Sequence, residues 1–196
     1  MEFAQLRTQP LAAEFLGTAI LSFSILTAFH NPGFSLSIPV MAAVTLCVLV
    51  YLFGPISGAH FNPAVSFGFA VVKKLTWSEA ASYIVIQLAG GGAAFLLGRV
   101  CFGGDVPLEA MNSFAAAHGE AVGTFMLMFG ICGVAYGRAT REVSGIVVAL
   151  SLLVGISLTA GSSLAALNPA VALGLGTFNA AYAVGPWFGG IVGALV

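Results

Sequence analysis

The most specific chemistry in this sequence lies in two triplets: Asn62, Pro63 and Ala64, then Asn168, Pro169 and Ala170. An asparagine amide donates and accepts hydrogen bonds without ionising, so a pair of them can orient a neutral hydroxyl while adding no charge. Two carboxylates stand at matching places, Glu14 and Glu120, each 48 residues before its asparagine. Both fall in apolar runs, where an unpaired carboxylate is expensive. They read either as a proton or ion relay or as structural carboxylates that accept buried N–H groups from nearby loops. Their duplication favours the structural role. His60 reads as a packing residue or a pore-lining donor, and its match in the second half is Ala166. No serine–histidine–acid set, phosphate loop or metal cluster has convincing spacing, and His118 with Cys101 lacks a third ligand. The expectation is therefore no enzyme, no catalytic residue, no metal and no cofactor.

The elements that must position these residues follow from composition. Of 196 residues, 59% are hydrophobic and 7% charged, against about 25% charged in a soluble domain. With mean hydropathy at +1.04, the chain reads as a membrane protein embedded in a lipid bilayer. A net charge of -1 gives no footprint for nucleic acid. Cys47, Cys101 and Cys132 form no disulfide framework, and the N-terminus does not resemble a signal peptide. Apolar stretches at about 11–29, 37–56, 79–98, 118–137, 143–160 and 180–196 are each long enough to cross the hydrocarbon as helix.

Two further apolar stretches, 57–72 and 161–177, are too short to span. Each begins with a helix-breaking segment and continues through the Asn-Pro-Ala triplet into roughly ten residues of possible helix. Proline suits the first turn of a helix and asparagine its N-cap. The reading is two re-entrant segments, each a loop entering the membrane and a half-helix leaving it.

The chain also repeats itself. Glu14, Gly17 and Thr18 match Glu120, Gly123 and Thr124 at an offset of 106, as does the first triplet with the second. Near the third span the offset becomes 99, pairing Gly90 and Gly91 with Gly189 and Gly190. Each half holds three spans, so the copies lie in opposite orientations. The fold class expected is an all-α membrane protein: six transmembrane helices plus two re-entrant half-helices in an inverted repeat. The whole chain, 1–196, reads as a single channel domain, with repeats at about 8–100 and 114–196. Arg7, Lys73, Lys74, Arg138 and Arg141 fall on one side, while Arg99 falls on the other beside Asp105 and Glu109. By the positive-inside rule both termini are cytoplasmic.

Irregular backbone at membrane depth must be enclosed by protein or wetted by a path. Two carbonyl ladders are therefore expected, one at Gly58, Ala59, His60 and Phe61, the other at Ser163, Leu164, Ala165 and Ala166. Opposed half-helix N-termini place partial positive charge at the midplane, with Asn62 and Asn168 donating there. A water accepting from both asparagines must turn its hydrogens outward, which opposes proton hopping, and the potential opposes cations. The arrangement suits a passive path for small uncharged solutes.

The sequence resembles the aquaporin and aquaglyceroporin channels, the major intrinsic protein family, through residues 57–68 (SGAHFNPAVSFG), 167–174 (LNPAVALG), 185–194 (GPWFGGIVGA) and the paired glutamates. The resemblance implies a right-handed bundle, a homotetramer with one pore per subunit, and passage of water, glycerol or other small neutral molecules. It also implies an outer selectivity filter at Ala42, Ile156, Ala165 and Val171. Water-selective members usually carry phenylalanine where Ala42 stands, histidine at Ile156 and arginine at Val171. Valine lacks arginine's donors and charge. The filter should therefore be wide and apolar, resembling the bacterial branch associated with arsenite, and arsenous acid or glycerol would suit it. A water-selective aquaporin, an ion-coupled secondary transporter built on an inverted repeat, and a scaffold protein are the alternatives. The resemblance suggests the bacterial inner (plasma) membrane.

Overall fold

The computed structural model describes residues 8–31, 33, 36–104 and 108–196. Glu2, Arg7 and Asp105, used above for the N-terminus and for orientation, lie outside the described residues. Long apolar runs set the main helices: α1 (Thr8–His30), α2 (Ile38–Ser57), α4 (Trp77–Phe102), α5 (Phe114–Ala135), α6 (Ser144–Thr159) and α8 (Ala180–Leu195). Between them stand two short helices, α3 (Pro63–Val71) and α7 (Pro169–Gly174). A 3-10 turn, Arg141–Val143, leads into α6. Counting that turn with α6, five helices among the described residues are long and apolar enough to cross a membrane. The sixth, α8, has 16 residues, about 24 Å of helix.

Helix ends differ from the expected spans where polar residues set them. Helix α4 begins at Trp77, because Thr76 and Glu79 form a reciprocal capping box, and it runs on to a left-handed Gly103. Helix α5 starts at Phe114, capped by Ser113. The second re-entrant loop starts later than expected, since the Ser162 and Ser163 N–H groups still donate to the Thr159 carbonyl. Its half-helix, α7, has six residues rather than about ten.

Packing couples the halves. Helix α3 lies against α8 and α4, while α7 lies against α4 and α1. The long helices pair as α1 with α2 and α4, and α5 with α6 and α8, with α2 against α6 joining the two sets. The Lys74 ammonium donates to the Ala135 carbonyl at 3.1 Å and sits 4.0 Å over the Tyr136 ring. The segment after α3 and the segment after α5 therefore share one end of the bundle.

Candidate functional site: two meeting half-helices beside a cavity

Each half-helix starts as the sequence requires. Asn62 and Asn168 have extended backbone, Pro63 and Pro169 follow in the first turn, and each asparagine caps its helix. The Asn62 Oδ1 accepts from the Ala64 N–H at 3.0 Å, and the Asn168 Oδ1 accepts from Ala170 at 2.9 Å and Val171 at 3.4 Å. With the oxygen so used, the amide nitrogens face across the junction. Asn62 Nδ2 donates to the Leu167 carbonyl at 2.9 Å, and Asn168 Nδ2 donates to the Phe61 carbonyl at 2.8 Å. The amino ends of α3 and α7 thus meet, tied by reciprocal bonds. An amide nitrogen carries two hydrogens, so each asparagine keeps one beyond these struts. Both asparagines border the same cavity.

The loops leading into the triplets are held by the buried carboxylates. Glu14 Oε1 accepts from the His60 N–H at 2.9 Å and the Ser57 hydroxyl at 2.6 Å. Its Oε2 accepts from the Phe61 N–H at 2.6 Å and the Gln87 amide at 2.7 Å. Glu120 repeats the pattern: Oε1 accepts from Ala166 at 3.0 Å and the Ser163 hydroxyl at 2.8 Å, and Oε2 from Leu167 at 2.6 Å. These bonds hold backbone that is otherwise costly. Ala59, Phe61, Ala165 and Leu167 all have φ between 48° and 54°, a region that costs a non-glycine residue about 1–2 kcal/mol.

The bracketing fixes where the carbonyls point. Across a trans peptide the C=O lies opposite the following N–H. With the His60 and Phe61 N–H groups turned toward Glu14, the Ala59 and His60 carbonyls turn away from it. Likewise the Ala165 and Ala166 carbonyls turn away from Glu120. All four residues border the cavity that holds the asparagines, as do Ser163 and Leu164. Gly58 borders a second cavity at the other end. Phe61 departs from the expectation of a wetted rung. Its side chain is fully buried, it borders neither cavity, and its carbonyl is the acceptor for Asn168. Phe61 is a strut between the half-helices.

The first cavity has a volume of about 260 Å³ and is walled by α1, α2, α5, α6 and the second loop. Ala42, Ile156, Ala165 and Val171, distant in sequence, all border it. Its polar surface comes from the asparagines and loop residues; among the described residues no Lys, Arg, Asp or Glu borders it. The second cavity, about 460 Å³, has Tyr51, Pro55 and Arg141 among its lining. Ala59, His60, Ile131 and Val148 border both. Apart from these two cavities, the His60 side chain is buried. Its Nδ1 lies 3.0 Å from the Ser66 hydroxyl, which accepts from Gln87 Nε2 at 2.9 Å. The Ser66 hydroxyl also lies 3.4 Å from Gln87 Oε1, so the imidazole Nδ1 is tied into a network that reaches Gln87 and, through it, Glu14.

Several members of this site escaped the sequence reading. The Tyr83 hydroxyl donates to the Ser57 carbonyl at 2.9 Å, and the Tyr182 hydroxyl accepts from the Leu164 N–H at 2.9 Å. The two tyrosines stand 99 residues apart, the offset of the glycine pairs, and Ser57 and Ser163 stand 106 apart. Repeat spacing carried the signal. Gln87 and Ser66 showed no such sign.

Residues 4–196 match the family model described as Major intrinsic protein. Three plant proteins are each 34% identical to the chain. Probable aquaporin NIP4-2 of Arabidopsis thaliana aligns over 96% of this chain and 73% of its own length. Aquaporin NIP1-3 of Oryza sativa subsp. japonica aligns over 95% and 71%. Nodulin-26 of Glycine max aligns over 96% and 76%. The X-ray structure of the aquaglyceroporin from Plasmodium falciparum superposes with a TM-score of 0.78 at 24% identity, covering 96% of this chain and 94% of that one. With nearly every residue inside the family's pattern and the fold in agreement, this chain belongs to the major intrinsic protein family of membrane channels.

Proposed function

We propose that this channel passes small uncharged hydroxylated solutes, glycerol and arsenous acid among them, together with water, through a wide outer filter at Ala42, Ile156, Ala165 and Val171. That the protein is a passive, non-catalytic channel in the bilayer follows from its family. The finer reading rests on one observation: the asparagine pair and the four filter positions border one cavity to which no charged side chain among the described residues contributes. A solute hydroxyl there accepts from the free asparagine hydrogens and donates to the Ala59, His60, Ala165 and Ala166 carbonyls. Aliphatic side chains meet its apolar face. An ion finds no counter-charge to replace its water. Glu14 and Glu120 border neither cavity, and their oxygens hold backbone N–H groups, which disfavours a coupled-ion site.

In this reading residues 1–196 form one channel domain of two inverted repeats, assembled as a homotetramer with one pore per subunit. Valine at 171 favours the bacterial, arsenite-associated branch and hence the bacterial inner membrane. Lys74 beside Ala135, with Arg141 on the wall of the second cavity, favours that end as cytoplasmic, together with both termini.

Stopped-flow swelling of proteoliposomes with water, glycerol, urea and arsenous acid tests the proposal. Glycerol and arsenous acid fluxes that rise linearly with concentration and ignore sodium or proton gradients are expected. Water flux alone would show a water-selective pore. Saturation with gradient dependence would show a coupled transporter.

A further inference from the structure

We infer that solute size is selected at a second ring, on the Arg141 side of the asparagine pair, where the two cavities meet. The inference rests on the pore reading above. Ala59, His60, Ile131 and Val148 border both cavities, so these four residues stand where the two adjoin. Asn62 and Asn168 border the first cavity and not the second, which puts the neck beyond the asparagines.

The repeat gives the neck its composition. At the offset of 106, Ala42 matches Val148 and Ala165 matches Ala59. Val171 matches Val65 and Ile156 matches Val50. Val50, Ala59, Val65 and Val148 all border the second cavity, so the outer ring has a counterpart across the pseudo-two-fold. The counterpart is bulkier at one position, Val148 for Ala42, and smaller at another, Val50 for Ile156. Beside this ring the imidazole of His60 adds bulk where the second loop has only Ala166.

The imidazole is also held in place. Ser66 fixes its Nδ1 at 3.0 Å, and the Phe69 and Tyr83 rings lie 4.9 Å and 5.3 Å away between centroids. A side chain so packed does not swing aside for a large solute. With Nδ1 engaged by Ser66, the imidazole Nε2 is the one ring nitrogen left to meet a single hydroxyl in passage, while Val148 and Ile131 supply the oily side. A compact triol satisfies both faces, and a longer polyol must shed more of its hydration at once.

The test compares water, glycerol and a four-carbon polyol in proteoliposomes of the full chain, with water flux measuring intact channel in each preparation. In hydrophobic recognition one methylene changes discrimination by about tenfold or more. Val148→Ala and Ile131→Ala should each raise the four-carbon polyol-to-water flux ratio about tenfold. Ala42→Gly should raise it less. Val148→Phe should lower the glycerol-to-water ratio about tenfold, which keeps the test open if a widened variant fails to fold. A polyol ratio unmoved by both widening variants, or a larger gain from Ala42→Gly, would overturn the neck while leaving the pore standing. Wild-type vesicles passing no neutral solute would overturn the pore and the neck together.

Discussion

The Ala64 carbonyl lies against Gly190, so that a Cβ added to the glycine would stand 2.7 Å from the carbonyl oxygen. Gly91 stands in the same relation to the Ala170 carbonyl. Each half-helix is seated on a glycine of a neighbouring long helix, and that closeness sets its distance from the path.

Gly190→Ala is expected to push the start of α3 away from α8, because the obstructing atom is backbone and has little room to move. Overpacking of this kind costs about 1–3 kcal/mol. Solute flux should fall along with thermal stability in detergent, and a wild-type melting curve with wild-type flux would count against this seating.

Replacing Glu120 by alanine removes the acceptor for the Ala166 and Leu167 N–H groups and the Ser163 hydroxyl. Each buried group left without a partner costs about 1–3 kcal/mol. Glu120→Ala should therefore lose most of its folded yield. Glu120→Gln keeps one acceptor oxygen and should lose less. Thermal unfolding followed by tryptophan fluorescence would rank them, and the reverse order would argue for a transport role for the carboxylate.

Asn168→Asp retains the oxygen that caps α7 but loses the hydrogen bound to the Phe61 carbonyl. A negative charge then sits where the half-helix ends offer positive potential. Cation conductance should appear in vesicles and neutral-solute flux should drop. Unchanged ion tightness would show that the junction does not set charge exclusion.

Val171→Arg places five donors and a fixed charge on the first cavity's wall, where the valine is 2% exposed. Glycerol and arsenous acid flux should fall more than water flux. Equal suppression of all three in stopped-flow measurements would remove position 171 from the filter.

Much of this site could be read before any fold was known, because a duplicated sequence prints its symmetry. The offset that aligns the triplets also aligns Ala59 with Ala165 and Phe61 with Leu167, and the structure gives all four the same left-handed backbone. The glutamates were placed by the same spacing. What stayed hidden was the wall of the path. Leu127 borders the first cavity at 3% exposure, while Val85 points outward at 66%. In a bilayer both surroundings accept an aliphatic side chain, so apolar periodicity does not separate them. The Ser66–Gln87–Glu14 network escaped for another reason: its members meet only when α1, α3 and α4 are packed together. The role of Phe61 as a strut is invisible in the sequence because the partner of its carbonyl stands 107 residues away, in the opposite half.

That last partnership bears on how such a chain folds. The Phe61 and Leu167 carbonyls each accept from an asparagine of the other half, so a three-helix fragment on its own lacks that bond. Separately expressed halves should stay protease-sensitive until they are co-inserted.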